Sequence, residues 1–270
     1  MARLRYAKTL DEVKRAHETN PEFLKSTVRS IRAVYETHPE LVKAVIPQPL
    51  VPAARPEVCV TFSHVAMHIN PQLTIEIGSA IFGVRASYDG QEGIYLLTMP
   101  MTTEQAVLGG RDTYGEPKKI AKIDFAKDGD KVTTNVERMG IPYLEASGRT
   151  STKLGPRDYS EYAYCFKALP ACDKGRAFDG DPLLVRLEWK QHHDGAWQMD
   201  GELVLRESPF DPVADLPVKR LVRMEYDEGT TESNGRVLRS VPGEWLLPYL
   251  HQRYDDPGAQ GVDVALQAGA

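Results

Sequence analysis

The stretch TFSHVAMHINPQLTIEIGSA, residues 61–80, reads as two strands meeting at a turn. Branched and aromatic residues run on either side of Asn70 and Pro71, two residue types that bound strands rather than continue them. In the second half, Leu73, Ile75 and Ile77 fall on one face while Thr74, Glu76 and Gly78 share the other, the period-two pattern of an extended chain. That polar face looks either at solvent or into the lumen of a closed sheet, and alternation alone admits both. Working outward, the same composition predicts strands over residues 28–36, 57–68, 72–87, 92–100, 120–127, 131–139, 142–148, 158–168, 183–192, 197–206 and 219–228. The turn clusters DGQEG, AKDGDK and HHDGAW recur at hairpin spacing, so successive strands are expected to pair antiparallel. So many strands without alternating helices argue against a parallel α/β sheet and for a sandwich or closed barrel.

Helices are few. Residues 9–26 read as a helical prefix, with a capping box from Thr9 and Glu12 and a second cap at Asn20 followed by Pro21. Such a prefix packs on the outside, covers a pocket or builds a subunit contact. Short helices are expected over residues 39–45 and 103–108. The organisation predicted is a helical extension (1–26), one large β domain (27–257) and a small-residue tail (258–270) expected to be disordered.

The 270 residues are 41% apolar and 26% charged, enough for one substantial core. A net charge of −5 and a pI near 5.9 argue against a nucleic-acid partner, which requires a basic face. No stretch approaches the length of a membrane span, and the charged N-terminus lacks the apolar core of a secretory signal. The three cysteines, Cys59, Cys165 and Cys172, lack metal-site spacing and fit a reducing compartment as buried thiols. The expectation is a cytoplasmic protein without a membrane partner.

The segment GRDTYGEPKKI, residues 110–120, sets Lys118 and Lys119 side by side after Pro117 in a short polar loop. Neighbouring ammonium groups repel, and burial penalises the charged form, so both effects favour a neutral amine. At an ordinary pKa of about 10.4 only roughly 0.04% of a lysine is uncharged at pH 7, so a nucleophilic lysine has to be displaced by several units. If residue 118 is extended, residue 119 points to the opposite face, which makes burial the larger influence.

The string GRDTYGEPKKIAK resembles the lysine loop of the acetoacetate decarboxylase family, in which a glycine, an arginine and an acid lead through an aromatic and a proline to Lys-Lys. TFSHVAMHINPQLTIEIGSA is similar to the family's strand pair, AVYETHPELVKAVIPQPL to its strand, short helix and Pro-x-Pro-Leu exit, and SPFDPVADLPVKRLV to its Asp-Leu-Pro-Val-Lys turn. Similarity spans roughly residues 27–250 in order. It implies a mainly β (α+β) fold, an antiparallel β-barrel or cone with peripheral helices and the lysine inside. It further implies a Schiff-base carbon–carbon lyase with Lys118 as nucleophile, Lys119 as its neighbour and Glu76 assisting proton transfer. The family is itself a standard illustration of a lysine activated by desolvation or a neighbouring cation. An iminium on lysine is its own electron sink, so no organic cofactor is expected, and no metal.

Two positions depart from the family pattern. Ser63 stands where the decarboxylases carry a second glutamate, and Val28 where they carry an arginine, although a one-residue bulge would present Arg29 instead. Ser63, Arg29, His68, Arg111 and Tyr114 are therefore the candidate substrate-binding residues. His68 is read either as lining the site or as structural, and Arg111 either as shaping the pocket or as anchoring the loop through carbonyls. His192 and His193 are placed in a hairpin turn, and Trp245 and Tyr249 in packing. The expected substrate is a small keto acid and the expected assembly a homo-oligomer. Decarboxylation of a β-keto acid is the first reading, aldolase or dehydratase chemistry on pyruvate or a larger keto acid the second, and a non-enzymatic ligand-binding barrel the third.

Overall fold

The computed structural model describes residues 4–19, 22–70 and 72–267. In chain order the elements are α1 (Leu10–Thr19), β1 (Leu24–Glu36), α2 (Pro39–Val45), β2 (Val51–Pro52), β3 (Glu57–Asn70), β4 (Leu73–Tyr88), β5 (Gln91–Met101), α3 (Glu104–Tyr114), β6 (Lys118–Ile120) and β7 (Lys122–Asp128). They continue with β8 (Lys131–Arg138), β9 (Ile141–Lys153), β10 (Arg157–Lys167), β11 (Leu183–Leu205), β12 (Arg220–Ser240) and α4 (Gly243–Leu246), with 3-10 turns at Val213–Asp215 and Leu247–Arg253.

All the strands belong to one sheet of order β10-β5-β4-β3-β1-β12-β11-β9-β8-β7, and β10 also pairs with β11. That extra pairing closes β10, β5, β4, β3, β1, β12 and β11 into a ring, with β9, β8 and β7 continuing beyond β11. The chain is thus mainly β, with peripheral helices and a ring that is antiparallel at every junction except β10–β5. Two apolar clusters divide the two faces. Val132, Val136, Tyr143 and Leu144 from β8 and β9 pack with Ile31, Phe62, Ala80 and Phe82 on the ring's outer face. Val34, Cys59, Ile77, Leu96, Met99, Cys165 and Leu187, drawn from ring strands together with Ala106 of α3, fill its inside. Where both clusters reach a strand, as over residues 58–63 of β3, consecutive residues are buried and the apolar ones do not alternate cleanly with polar ones.

Several expectations are corrected. The Asp194-Gly195 pair predicts a hairpin, yet β11 runs unbroken through it. The register shifts between His193 and Gly195, and the strand changes neighbour there, pairing with β10 up to His193 and with β9 from Trp197. The pair is a bulge that lets one strand serve both the ring and the outer layer. By contrast Asp89 and Gly90 both adopt positive φ, 50° and 75°, and make the tight β4–β5 hairpin their sequence predicts. Pairing is parallel at β5–β6 and β10–β5 rather than antiparallel throughout. The first follows from α3, which returns the chain to the same edge as a strand–helix–strand crossover.

The capping box of α1 forms, with the Thr9 amide donating to Glu12 Oε2 at 2.8 Å. The helix nevertheless stops at Thr19, β1 begins at Leu24, and α1 buries none of its residues. The second cap expected at Asn20 and Pro21 lies outside the described residues. Helix α3 is longer than the 103–108 helix expected, because Gly109 and Gly110 continue it to a left-handed Gly115 cap with φ 76°. Half of the expected polar loop is therefore helix. Cys59 and Cys165 are buried free thiols, whereas Cys172 is exposed.

Candidate active site

The two lysines leave β6 on opposite faces. Lys118 pairs with Met99 on the inner face, and Lys119 pairs with Pro100. Lys118 reaches this position through a short connection: Gly115 ends α3, the Glu116 carbonyl accepts from the Lys118 amide at 2.7 Å, and Pro117 accepts from Met99 at 3.0 Å. Residues 116 and 118 thereby project to the same side, and the Lys118 amine lies 2.8 Å from Glu116 Oε2. The side chains of Lys118 and Glu116 are 13% and 7% exposed. Gly110 of α3 faces this pair, and a β-carbon there would sit 2.6 Å from Lys118 Nζ. The absent side chain is the room in which the amine sits. Cys165 lies beneath, its thiol donating to the Tyr114 carbonyl at 3.2 Å and pushed well above the ordinary range by burial.

Lys119 is held differently. Its amine donates to the Phe210 carbonyl at 2.9 Å and lies 3.2 Å from Asp211 and 2.7 Å from Asp255. Arg138 bonds the same two carboxylates, each at 2.6 Å. Burial pushes Asp255 up, but hydrogen bonding from Lys119 and the charges of Lys119 and Arg138 outweigh it and leave the carboxyl below its ordinary value. The expected neighbour of Lys118 thus belongs to a four-charge cluster on the far side of the sheet. The charged group beside Lys118 is an anion.

Three other predicted residues also lie on the outer face. The register Ala66↔Glu76 and His64↔Gly78 is continuous, so Ile75 and Ile77 take the lumen and Glu76 does not. Glu76, with its side chain 61% exposed, contacts His64 at 3.3 Å, and Arg29 reaches the same imidazole at 3.3 Å. The bulge that would turn Arg29 inward is absent: β1 pairs with β3 without interruption, and Val28 faces inward. His68 bonds Thr27 and Thr74, at 2.9 and 3.1 Å. The polar face of residues 74–78 is therefore the outer one, and Glu76 is not brought to Lys118.

Ser63 does face the lumen, sharing a buried hydroxyl bond of 2.8 Å with Ser30. Tyr114 packs into the inner cluster, and its hydroxyl approaches Asn234 Oδ1 at 3.5 Å. Arg111 donates to the carbonyls of Lys118 and Arg253, at 3.0 and 3.2 Å, and stacks on Tyr254. Its guanidinium ties the C-terminal segment to the lysine strand.

Two inward residues escaped sequence reasoning. Glu116 is inside the quoted motif, but its meaning depends on the proline that turns it to the side of Lys118. Arg32 follows Val28 and Ser30 at period two, a signal that could have found it. It bonds Asp227 at 2.9 Å and Glu161 at 3.1 Å inside the ring. Near it a cavity of about 380 Å³ is lined by Arg32, Cys59, Arg85, Arg157, Glu161 and Arg223, with Cys59 pushed up to about 12 by burial. Lys118 is not among its lining residues. Among the described residues no group of three or more His, Cys, Asp or Glu could hold a metal ion, and no helix is long and apolar enough to cross a membrane.

The model of the acetoacetate decarboxylase family matches residues 12–241. The chain is 29% identical over 157 residues to the acetoacetate decarboxylase of Clostridium beijerinckii, covering 56% of this chain and 61% of that protein. It is 29% identical over 198 residues to that of Burkholderia vietnamiensis, covering 68% and 74%. The chain thus spans about three fifths of the length of the first of these relatives. Among solved structures it is similar to the acetoacetate decarboxylase of Legionella pneumophila, with TM-score 0.67, 20% identity and 82% and 88% of the two chains covered. It is also similar to the enduracididine biosynthesis enzyme MppR complexed with pyruvate, with TM-score 0.67, 13% identity and 82% and 92% covered. These two likenesses show the fold, and the matched residues take in β1 through β12: the chain belongs to the acetoacetate decarboxylase family.

Proposed function

We propose that this protein is a Schiff-base-forming lyase that decarboxylates a small β-keto acid through an iminium on Lys118. The observation that carries the reading is a lysine amine enclosed within the ring, 2.8 Å from a buried carboxylate, in a chain of this family. Attack of the neutral amine on the ketone and loss of water give an iminium, which accepts, through the α-carbon, the electron pair of the bond between that carbon and the carboxylate. Carbon dioxide leaves, an enamine remains, and its protonation and hydrolysis free the ketone. Lys119 supports this indirectly, by holding β6 in place.

A second reading, aldol or dehydratase chemistry on pyruvate or a larger keto acid, is favoured by the lumen itself. Val28 and the Ser30–Ser63 hydroxyl pair occupy positions where an arginine and a glutamate are expected of decarboxylases, and Arg29 and Glu76 lie outside. The likeness to MppR, a structure holding pyruvate, supports the same alternative.

Borohydride trapping with acetoacetate and with pyruvate, followed by mass analysis of residues 111–122, tests both. A reduced adduct at Lys118, absent in Lys118→Arg, is the expected result, with acetoacetate labelling better. Better labelling and turnover with pyruvate plus an aldehyde selects the second reading. Saturable binding with no adduct from either compound overturns both.

A further inference from the structure

We infer that Glu116 is the general acid–base of imine formation, the group that takes the proton from Lys118 and later delivers it to the departing oxygen. The inference rests on Lys118 being the nucleophile and goes beyond it by assigning the proton carrier. Glu116 Oε2 is 2.8 Å from the reacting nitrogen, within the distance a proton-transferring group requires. Among the described residues it is the only carboxylate within ion-pair distance of Lys118. Glu76, the residue expected in this role, is on the other face of β4, bonded to His64. Asp211 and Asp255 are on the other face of β6, bonded to Lys119 and Arg138.

The backbone explains why the pair is fixed. Pro117 has a locked φ and no amide hydrogen, so the 116–118 segment cannot relax into the helix that precedes it. The Glu116 amide donates to the Gly110 carbonyl at 3.3 Å, and Gly110 leaves the space that both side-chain termini occupy. A carboxylate held this way is available at each step. It accepts a proton from the Lys118 ammonium, leaving a neutral amine and a carboxylic acid. The amine nitrogen forms a bond to the ketone carbon, the carbonyl pair moves to oxygen, and Glu116 gives its proton to that oxygen. Glu116 then removes a proton from the nitrogen and returns it to the hydroxyl, which leaves as water while the nitrogen pair closes the iminium. Protons balance, and Glu116 ends as the carboxylate it began as.

The test is the rate of borohydride-trappable adduct at Lys118 in wild type, Glu116→Gln and Glu116→Ala, with folding checked by urea midpoint. Both variants are expected to form adduct about 100-fold more slowly than wild type, a typical loss for one general acid–base. Formate or acetate added to Glu116→Ala is expected to restore part of that rate, increasingly with the basicity of the added carboxylate. A residue that only orients Lys118 would give no such dependence. Adduct formation in Glu116→Gln within a fewfold of wild type, or a folded Glu116→Ala that no carboxylate accelerates, overturns the assignment. Failure of wild type itself to label overturns the prior reading of Lys118, a distinct outcome.

Discussion

At the scale of single residues, the site is defined by what Gly110 lacks. Any β-carbon there meets both Glu116 and Lys118, so Gly110→Ala is expected to slow adduct formation at Lys118 by at least about tenfold. Its cost in stability is expected to be on the order of 1–3 kcal/mol, the range for overpacking, as read from urea unfolding. His193 supports a pH prediction. Burial, reinforced by the charges of Arg32 and Arg157, lowers its pKa from 6.5 to about 4. The folded state resists a proton that the unfolded chain accepts, so stability is intact above about pH 6.5 and falls as pH drops towards 4, by on the order of 3 kcal/mol. Asp227, raised above its ordinary value by burial, opposes this at the acid end of that window, while Glu161 and Glu225 also face the imidazole. Urea midpoints at pH 7 and pH 5 are expected to differ, and His193→Gln to narrow the difference.

At the scale of elements, β6 is only three residues long, and two of them are lysines of opposite fate. A one-residue slip would exchange their faces. The cluster of Lys119, Arg138, Asp211 and Asp255 resists that slip, because moving Lys119 would strand buried carboxylates. Lys119→Met is accordingly expected to cost on the order of 3 kcal/mol in urea unfolding and to lower adduct formation at Lys118, although Lys119 lies on the opposite face of β6. These elements also show how far the sequence could be read. Strand composition and the tight turn at Asp89 and Gly90 are local signals, and β3, β4 and β5 follow from them. Which face of β4 looks inward is not local, since it depends on β8 and β9 covering the outer face. Alternation placed Glu76 on a face without saying which. The bulge at Gly195 is hidden for the same reason: an Asp-Gly pair looks alike in a hairpin and in a strand that changes partners.

For the whole molecule, the ring closes where β10 lies parallel to β5, through Ala163↔Ile94 and Tyr164↔Tyr95. Every other junction between ring strands is a long antiparallel ladder. Gly93 lets the strands meet, since a β-carbon there would sit 2.7 Å from the Tyr162 carbonyl. Gly93→Ala is expected to destabilise the protein by on the order of 1–3 kcal/mol and to accelerate amide exchange at 93–96 and 162–165 before the β1–β12 ladder is affected. The molecule is thus a strip buttoned into a tube at one brief seam. The strand on one side of that seam, β5, also carries β6 and its lysines. Unbuttoning would expose the amine to bulk water while most of the fold stayed intact, so under the proposed Schiff-base chemistry the lifetime of that clasp would set how long an adduct on Lys118 is sheltered from hydrolysis.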